Sequence, residues 1–344
     1  MTEPFRIAAD PAEMADLRAR LRATRWPDDA DDDLRELVAY WADKFVMPED
    51  RLPRFRHRGV AFLHARGRTP AFPLILCHGW PDSSWRYEKV LPLLSADFDV
   101  VVPDMPGFGH SAGPAVDSIA VADRWAELMT TLGYPRFGVA GGDIGSSVAR
   151  FLALNHAGRV VAVHRMEASM PVDTGADYTP EERAYLATAA DWKAREGAYA
   201  EMHRTKPLTA AVGLTDSPAG LAAWIVEKLR SWSDPHGGGF TRDEICELLT
   251  RYWLTGTIGS SMRMYAANAA IPVEQHARRV EVPSGFALFP GDTLHPPRAW
   301  LERLANVVRV TEMERGGHFA PVEEPELYAG ELRDFFQPYR SLLA

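Results

Sequence analysis

The chain has 344 residues, 46% of them hydrophobic and 25% charged, which suits one large folded unit with an insertion or two ordinary domains. A formal net charge of -9 argues against nucleic acid or an anionic membrane surface as the main partner. Two cysteines, Cys77 and Cys246, make no disulfide framework and read as reduced. The first 21 residues lack the apolar core of a signal peptide, and no run approaches the roughly 20 apolar residues of a membrane span, so the expected location is cytoplasmic.

In chain order, Asp10 and Pro11 are placed to cap and start a helix in which Met14, Leu17 and Leu21 recur at helical spacing. A second helix is predicted from Asp33 to Phe45. Arg54 to Phe62 reads as an early strand turned by Gly59, with His64 just beyond it. Pro73 to Cys77 and Asp99 to Pro103 are short, nearly all-apolar runs, the pattern of strands covered on both faces. A helix from about Val121 to Leu132 follows. Next come a strand from Phe137 to Gly141, a helix from about Ser146 to Asn155, and a strand from Val160 to Val163. This alternation predicts a mostly parallel sheet with right-handed crossovers.

From about Ala168 to Gly259 the rhythm becomes helical, with candidates at Pro180 to Glu196, Gly220 to Ser231 and Arg242 to Tyr252. A further helix is expected from Ser261 to Ala270. Strands return at Gly285 to Phe289 and Val307 to Val310, and the last helix is expected from about Glu324 to Phe336. The organisation read from this pattern is an N-terminal helical extension over 1–50 and a first part of an α/β core over 51–167. A helical cap over 168–260 and, over 261–344, a cap-to-core helix with the second part of the core complete it. A helical block between two halves of one parallel sheet is expected to cover the C-terminal strand edge, where ligands bind in such folds.

The strand ending at Gly141 runs into Gly142-Asp143-Ile144-Gly145-Ser146 and then a helix. Small residues around a sharp strand-to-helix turn make a nucleophile elbow, here with aspartate at the usual serine position. The helix N-terminus favours an anion there. The plainer reading of Asp143 is a helix cap between glycines. Gly109-His110-Ser111-Ala112-Gly113 also matches G-x-S-x-G, but it lies past its strand and precedes Pro114 instead of a helix, so Ser111 is rejected as a nucleophile.

His78-Gly79-Trp80-Pro81, following the first central strand, resembles the HGxP motif of epoxide hydrolases, and Asp104 to Ser111 resembles a loop shared with haloalkane and haloacetate dehalogenases. The flanks are more specific. Leu21 to Pro27, Thr205-Lys206-Pro207, Thr215 to Lys228, Tyr252 to Thr257 and Gly316 to Pro325 are similar to microsomal-type epoxide hydrolases, and to their soluble bacterial members in lacking an anchor segment. The resemblance spans nearly the whole chain. It implies an α/β-hydrolase fold and hydrolysis of an epoxide to a vicinal diol.

By that resemblance Asp143 is the nucleophile, His318 the water-activating base and Asp292 its orienting acid. Tyr199 and Tyr265 are the ring-opening acids, and the backbone N–H groups of Trp80 and Ile144 form the oxyanion hole. The order Asp, Asp, His suits the chain order of the fold, and neutral tyrosine is a suitable proton donor at pH 7. No cofactor or metal is called for, and the expected partners are an apolar or amphipathic epoxide and water, with family habit allowing a homodimer.

Several bland readings stand beside these. His295 is close enough in sequence to occupy Asp292, Glu314 is a weaker orienting acid, and Tyr178 or Tyr185 could be mistaken for Tyr199. Relatives commonly carry tryptophan after the nucleophile, and this chain has Ile144, which changes a pocket wall and speaks against a haloalkane dehalogenase. A dehalogenase using the same carboxylate and a catalytically silent binding protein remain as alternatives.

Overall fold

The computed structural model describes residues 2–50, 52–68, 71–166 and 169–342; the expected boundaries at 51 and at 167 and 168 lie outside the described residues. The apolar runs become strands of one sheet: β1 (Glu3–Phe5), β2 (Arg54–His57), β3 (Val60–Ala65), β4 (Phe72–Cys77), β5 (Phe98–Pro103), β6 (Phe137–Gly142), β7 (Val160–Met166), β8 (Val280–Leu288) and β9 (Ala305–Glu312). Their spatial order is β1-β2-β3-β5-β4-β6-β7-β8-β9. The first three pairings are antiparallel, and every pairing from β5 through β9 is parallel.

The α/β expectation is met, with local differences that have physical causes. The early strand is a hairpin: Arg58 and Gly59 take positive φ, 48° and 82°, and His64 lies inside β3. The strand after Val160 continues to Met166 because its polar residues find partners inside the protein. His164 Nε2 lies 3.1 Å from Glu331, and Arg165 donates to Ser146 Oγ at 2.9 Å. The helix after the elbow begins at Ile144, two residues earlier than expected.

The insertion between β7 and β8 is helical as expected, but denser. Besides Pro180–Glu196, Pro218–Trp232, Arg242–Thr255 and Ile258–Ala269, it holds Ala198–Thr205 and Pro207–Asp216. Neither was foreseen. Both are short, and prolines at 207 and 218 each start a new helix and so break up the apolar periodicity.

The N-terminal extension braces this insertion. Asp10 caps the helix Pro11–Arg22 by accepting from Ala12 N. Leu17, Leu21, Leu37 and Trp41 bury their apolar surface in the main core, each side chain contributing about 1.5–3 kcal/mol by removal from water. Trp41 Nε1 donates to Thr250 Oγ1 at 2.8 Å, and Arg230 meets Asp31 at 2.6 Å. No helix among the described residues is long and apolar enough to cross a membrane.

Candidate active site

Four strand ends deliver the polar residues of the site. β4 ends at Cys77 and leads to Trp80, β6 ends at Gly142 and leads to Asp143, β8 leads to Asp292, and β9 leads to His318. All four are C-terminal ends of parallel strands, where side chains and loops of different crossovers converge.

Asp143 takes φ 56° and ψ -134°, a conformation that costs a non-glycine residue about 1–3 kcal/mol. Gly145 makes the turn feasible, because a Cβ at that position would collide with the backbone carbonyl of Cys77 on β4. Asp143 occupies the cap position of its helix, yet its side chain makes no capping bond. Oδ1 instead accepts from Trp80 N at 2.8 Å, and Oδ2 lies 3.3 Å from His318 Nε2. The helix-cap reading of Asp143 is therefore set aside. The 3.3 Å approach is an ion-pair contact without hydrogen-bond alignment.

His318 Nδ1 lies 2.8 Å from Asp292 Oδ1. The two loops are zipped by a parallel bridge between Gly291 and Gly317, with Gly291 N donating to Gly316 O at 2.9 Å. Gly317 must be glycine, since a Cβ would meet the Asp234 nitrogen and the Trp232 carbonyl oxygen. His318 N donates to that carbonyl at 2.9 Å, so the helix Pro218–Trp232 also holds the histidine's backbone. Burial, the largest influence on the imidazole, would lower its pKa. The Asp292 charge first, then the close Asp143 carboxylate and the hydrogen bond to Asp292, outweigh it and push the value up to about 9.

The rival partners fall away. His295 Nε2 pairs with the Phe289 carbonyl at 2.8 Å, and Glu314 is an exposed partner of Arg315. Ser111 is buried where its hydroxyl donates to Asp104 O at 2.6 Å and accepts from Ala61 N at 2.9 Å, a structural clamp. Tyr185 packs against Trp300, and Tyr178 lines a smaller neighbouring chamber of about 70 Å³.

Tyr199 and Tyr265 come from the helices Ala198–Thr205 and Ile258–Ala269. They meet edge to face with ring centroids 5.9 Å apart. Both line one cavity of about 480 Å³ with Asp143, Ile144, Trp232 and His318. Burial first, and the Asp143 charge second, hold the Tyr199 hydroxyl well above the ordinary phenol value; burial does the same to Tyr265. Both phenols thus keep their protons at neutral pH. All five side chains proposed from the sequence reach this region. Among the described residues no cluster of three or more His, Cys, Asp or Glu side chains could hold a metal ion.

Behind the pair lie further residues, of which sequence reasoning passes over His203 and Asp234 and reads Arg86 as structural. His203 is fully buried, 4.6 Å from the Trp80 ring and 4.8 Å from the Tyr265 ring, and its Nε2 accepts from Trp224 Nε1 at 3.0 Å. Burial, aided by the Lys228 charge, brings its pKa down to about 3, so it is neutral packing. Arg86, fully buried, pairs with Asp82 at 2.6 Å and donates to the His318 carbonyl. Its four-residue spacing from Asp82 was the available signal. Asp234 accepts from Gly316 N at 2.8 Å, with nothing in the sequence to mark it.

This fold, with aspartate in the elbow and a buried His–Asp pair beside it, defines an α/β-hydrolase-fold enzyme. Two family models match, one described as alpha/beta hydrolase fold over residues 73–209 and one as epoxide hydrolase N terminus over residues 2–87. A relative from Stigmatella aurantiaca is 34% identical over 98% of this chain and 85% of its own length. Epoxide hydrolase 1 of Sus scrofa is 31% identical over 96% of this chain and 88% of its own. The juvenile hormone epoxide hydrolase of the silkworm Bombyx mori superposes with a TM-score of 0.88 at 25% identity, covering 99% of this chain and 95% of that one. The chain belongs to the epoxide hydrolases.

Proposed function

We propose that this enzyme converts an epoxide and water to a vicinal diol through a hydroxyalkyl ester on Asp143. The observation that carries the reading is the arrangement of one carboxylate. Oδ1 is held by the Trp80 amide, Oδ2 lies beside His318, and the residue lines the cavity. Oδ2 attacks an epoxide carbon, the C–O bond breaks, and its electron pair stays on the oxygen. Tyr199 and Tyr265 donate to that oxygen as it becomes an alkoxide.

The second step is switched on by the first. In the free enzyme His318 lies between two carboxylates and is protonated. Esterification removes the Asp143 charge, and with it part of what holds the proton, so the imidazole gives its proton up to solvent and becomes a base. His318 then takes a proton from water, and hydroxide adds to the ester carbonyl carbon. The oxyanion that develops on Oδ1 is met by the Trp80 N–H and, at the start of the helix, by the Ile144 N–H, a first-turn donor with no intrahelical acceptor. Collapse breaks the bond from the acyl carbon to Oδ2, the proton of the added hydroxyl passes to Oδ2, and the diol leaves with Oδ2 in it while Asp143 is again a carboxylate.

The test is the intact mass of the His318→Ala variant after incubation with a panel of epoxides and alkyl halides. A gain of one whole epoxide, localised to Asp143, is expected. A gain of an alkyl group with loss of halide would make the enzyme a dehalogenase. No adduct on a folded variant, under conditions where the wild type makes diol, would remove Asp143 as the nucleophile.

A further inference from the structure

Lys228 has no role in the chemistry above, and its position is unusual. It lies on the helix Pro218–Trp232 with its side chain only 8% exposed, although lysine is almost never buried without a buried partner. Its ion-pair partner, Glu227, is 53% exposed and sits at the protein's edge. The ammonium turns inward, with Nζ 4.6 Å from the centroid of the Tyr199 ring and 5.8 Å from that of Trp232. An ordinary lysine on such a helix would carry its charge out to water and bury only its stem.

Of the cations near this cavity, which Lys193 and Arg204 also line, Lys228 is the one placed over the Tyr199 ring, and the rings packed on Tyr199 carry no positive charge. Trp80 stacks on it at 15° with centroids 5.5 Å apart, Trp232 lies 5.3 Å away, and the neutral His203 meets it edge-on at 5.5 Å. The negative charges that bear on it are Asp143, across the cavity, and Glu227, beside the lysine.

We propose that Lys228 is a positioning residue for epoxide ring opening, its ammonium held against the face of Tyr199 to stabilise the negative charge that the phenol acquires as it gives up its proton. This rests on the reading of Tyr199 as a ring-opening acid. In that step a bond forms from Asp143 Oδ2 to carbon, the carbon–oxygen bond breaks, and the Tyr199 proton moves to the departing oxygen. The proton that His318 later draws from water restores the phenol. A cation is attracted to the π face of a neutral phenol, and more strongly to a phenolate. The difference appears only as the proton moves, so it accelerates the step instead of merely tightening the resting site. Glu227, by sharing the ammonium's charge, moderates the effect.

Single-turnover rapid quench, following the Asp143 adduct by mass, separates ring opening from ester hydrolysis. Lys228→Met should slow ring opening about tenfold and leave ester hydrolysis unchanged. Lys228→Arg should recover most of the rate. Glu227→Gln, at an exposed position, should accelerate ring opening about twofold or more, and it decides the matter if the methionine variant does not fold. In a Tyr199→Phe background Lys228→Met should have no further effect, whereas a lysine that only packs the cap would cost the same in both backgrounds. A folded Lys228→Met enzyme with wild-type ring opening, an equal loss in the Tyr199→Phe background, or a slower Glu227→Gln enzyme overturns the proposal. If Tyr199→Phe itself opens epoxides at the wild-type rate, the reading of Tyr199 as an acid fails. If it is slow while Lys228→Met is not, the role of the lysine alone falls.

Discussion

The two halves of the cavity are built by opposite means. On the sheet side, charged groups are fixed by backbone: a strained elbow at Asp143, a glycine bridge between the Asp292 and His318 loops, and a Trp80 amide 2.8 Å from the carboxylate. On the helical side, two neutral phenols are fixed by packing among Trp80, His203 and Trp232. Burial acts differently on each. Beside Asp143 and Asp292 it is outweighed by charge, and His318 keeps a proton. Around the phenols it dominates, and the hydroxyls keep theirs. A protonated imidazole and two neutral phenols thus line a single cavity, in the states the proposed chemistry needs.

The sharpest way to break this division is on the sheet side. Asp143→Asn keeps the shape and removes the attacking charge, and diol formation should fall about 10⁴-fold or more, measured as steady-state turnover. Asp292→Asn should separate the steps. Asp292 pairs with Nδ1 of His318, the ring nitrogen turned away from Asp143, so ring opening should survive while ester hydrolysis drops about 10³-fold and the adduct accumulates. On the helical side, Tyr199→Phe or Tyr265→Phe should slow adduct formation by about 10² each and leave hydrolysis of the formed ester alone, because in the proposed mechanism these hydroxyls serve only the departing oxygen. Equal losses in both steps for either tyrosine would show that the helices support the sheet-side geometry as well.

The contrast also sets the pH dependence of stability. The folded pKa of His318, about 9, lies above its ordinary 6.5, so its ion pairs stabilise the protein below about pH 6.5, and this contribution is lost as the pH rises through about 9. Buried neutral histidines act the other way. His203, brought to about 3 by burial and the Lys228 charge, and His64, brought to about 4 mainly by burial, leave the unfolded chain to take up protons first, so stability falls as the pH drops below about 6.5. Thermal unfolding against pH should therefore show both limbs. Asp143→Asn should flatten the alkaline limb and His203→Phe the acid one. The smallest effect is expected at Asp234→Ala, which unhooks Gly316 N and should cost about 1–3 kcal/mol of stability, read by denaturant unfolding, with a modest loss of turnover.

Much of the sheet side was legible in the chain because it depends on local features. A strand, a glycine and a helix start follow one another within a few residues, and Gly142-Asp143-Ile144-Gly145 specifies the elbow wherever the sheet carries it. The resemblance then paired Asp143 with His318 and Asp292, 175 and 149 residues away by their numbers. The helical side was less legible. Tyr199 sits in a short helix that periodicity did not reveal, and nothing local distinguishes it from Tyr185, which packs against Trp300.

The sequence by itself determined the strands of the sheet and the turn at Asp143, since these follow from sterics and apolar periodicity over a few residues. Only the tertiary structure decided which aromatic rings face the carboxylate, that the Trp232 carbonyl holds His318, and that the charge of Lys228 turns inward onto Tyr199. Those outcomes depend on how distant helices pack over the sheet, and desolvation and charge act through space, between groups that sequence spacing does not bring together.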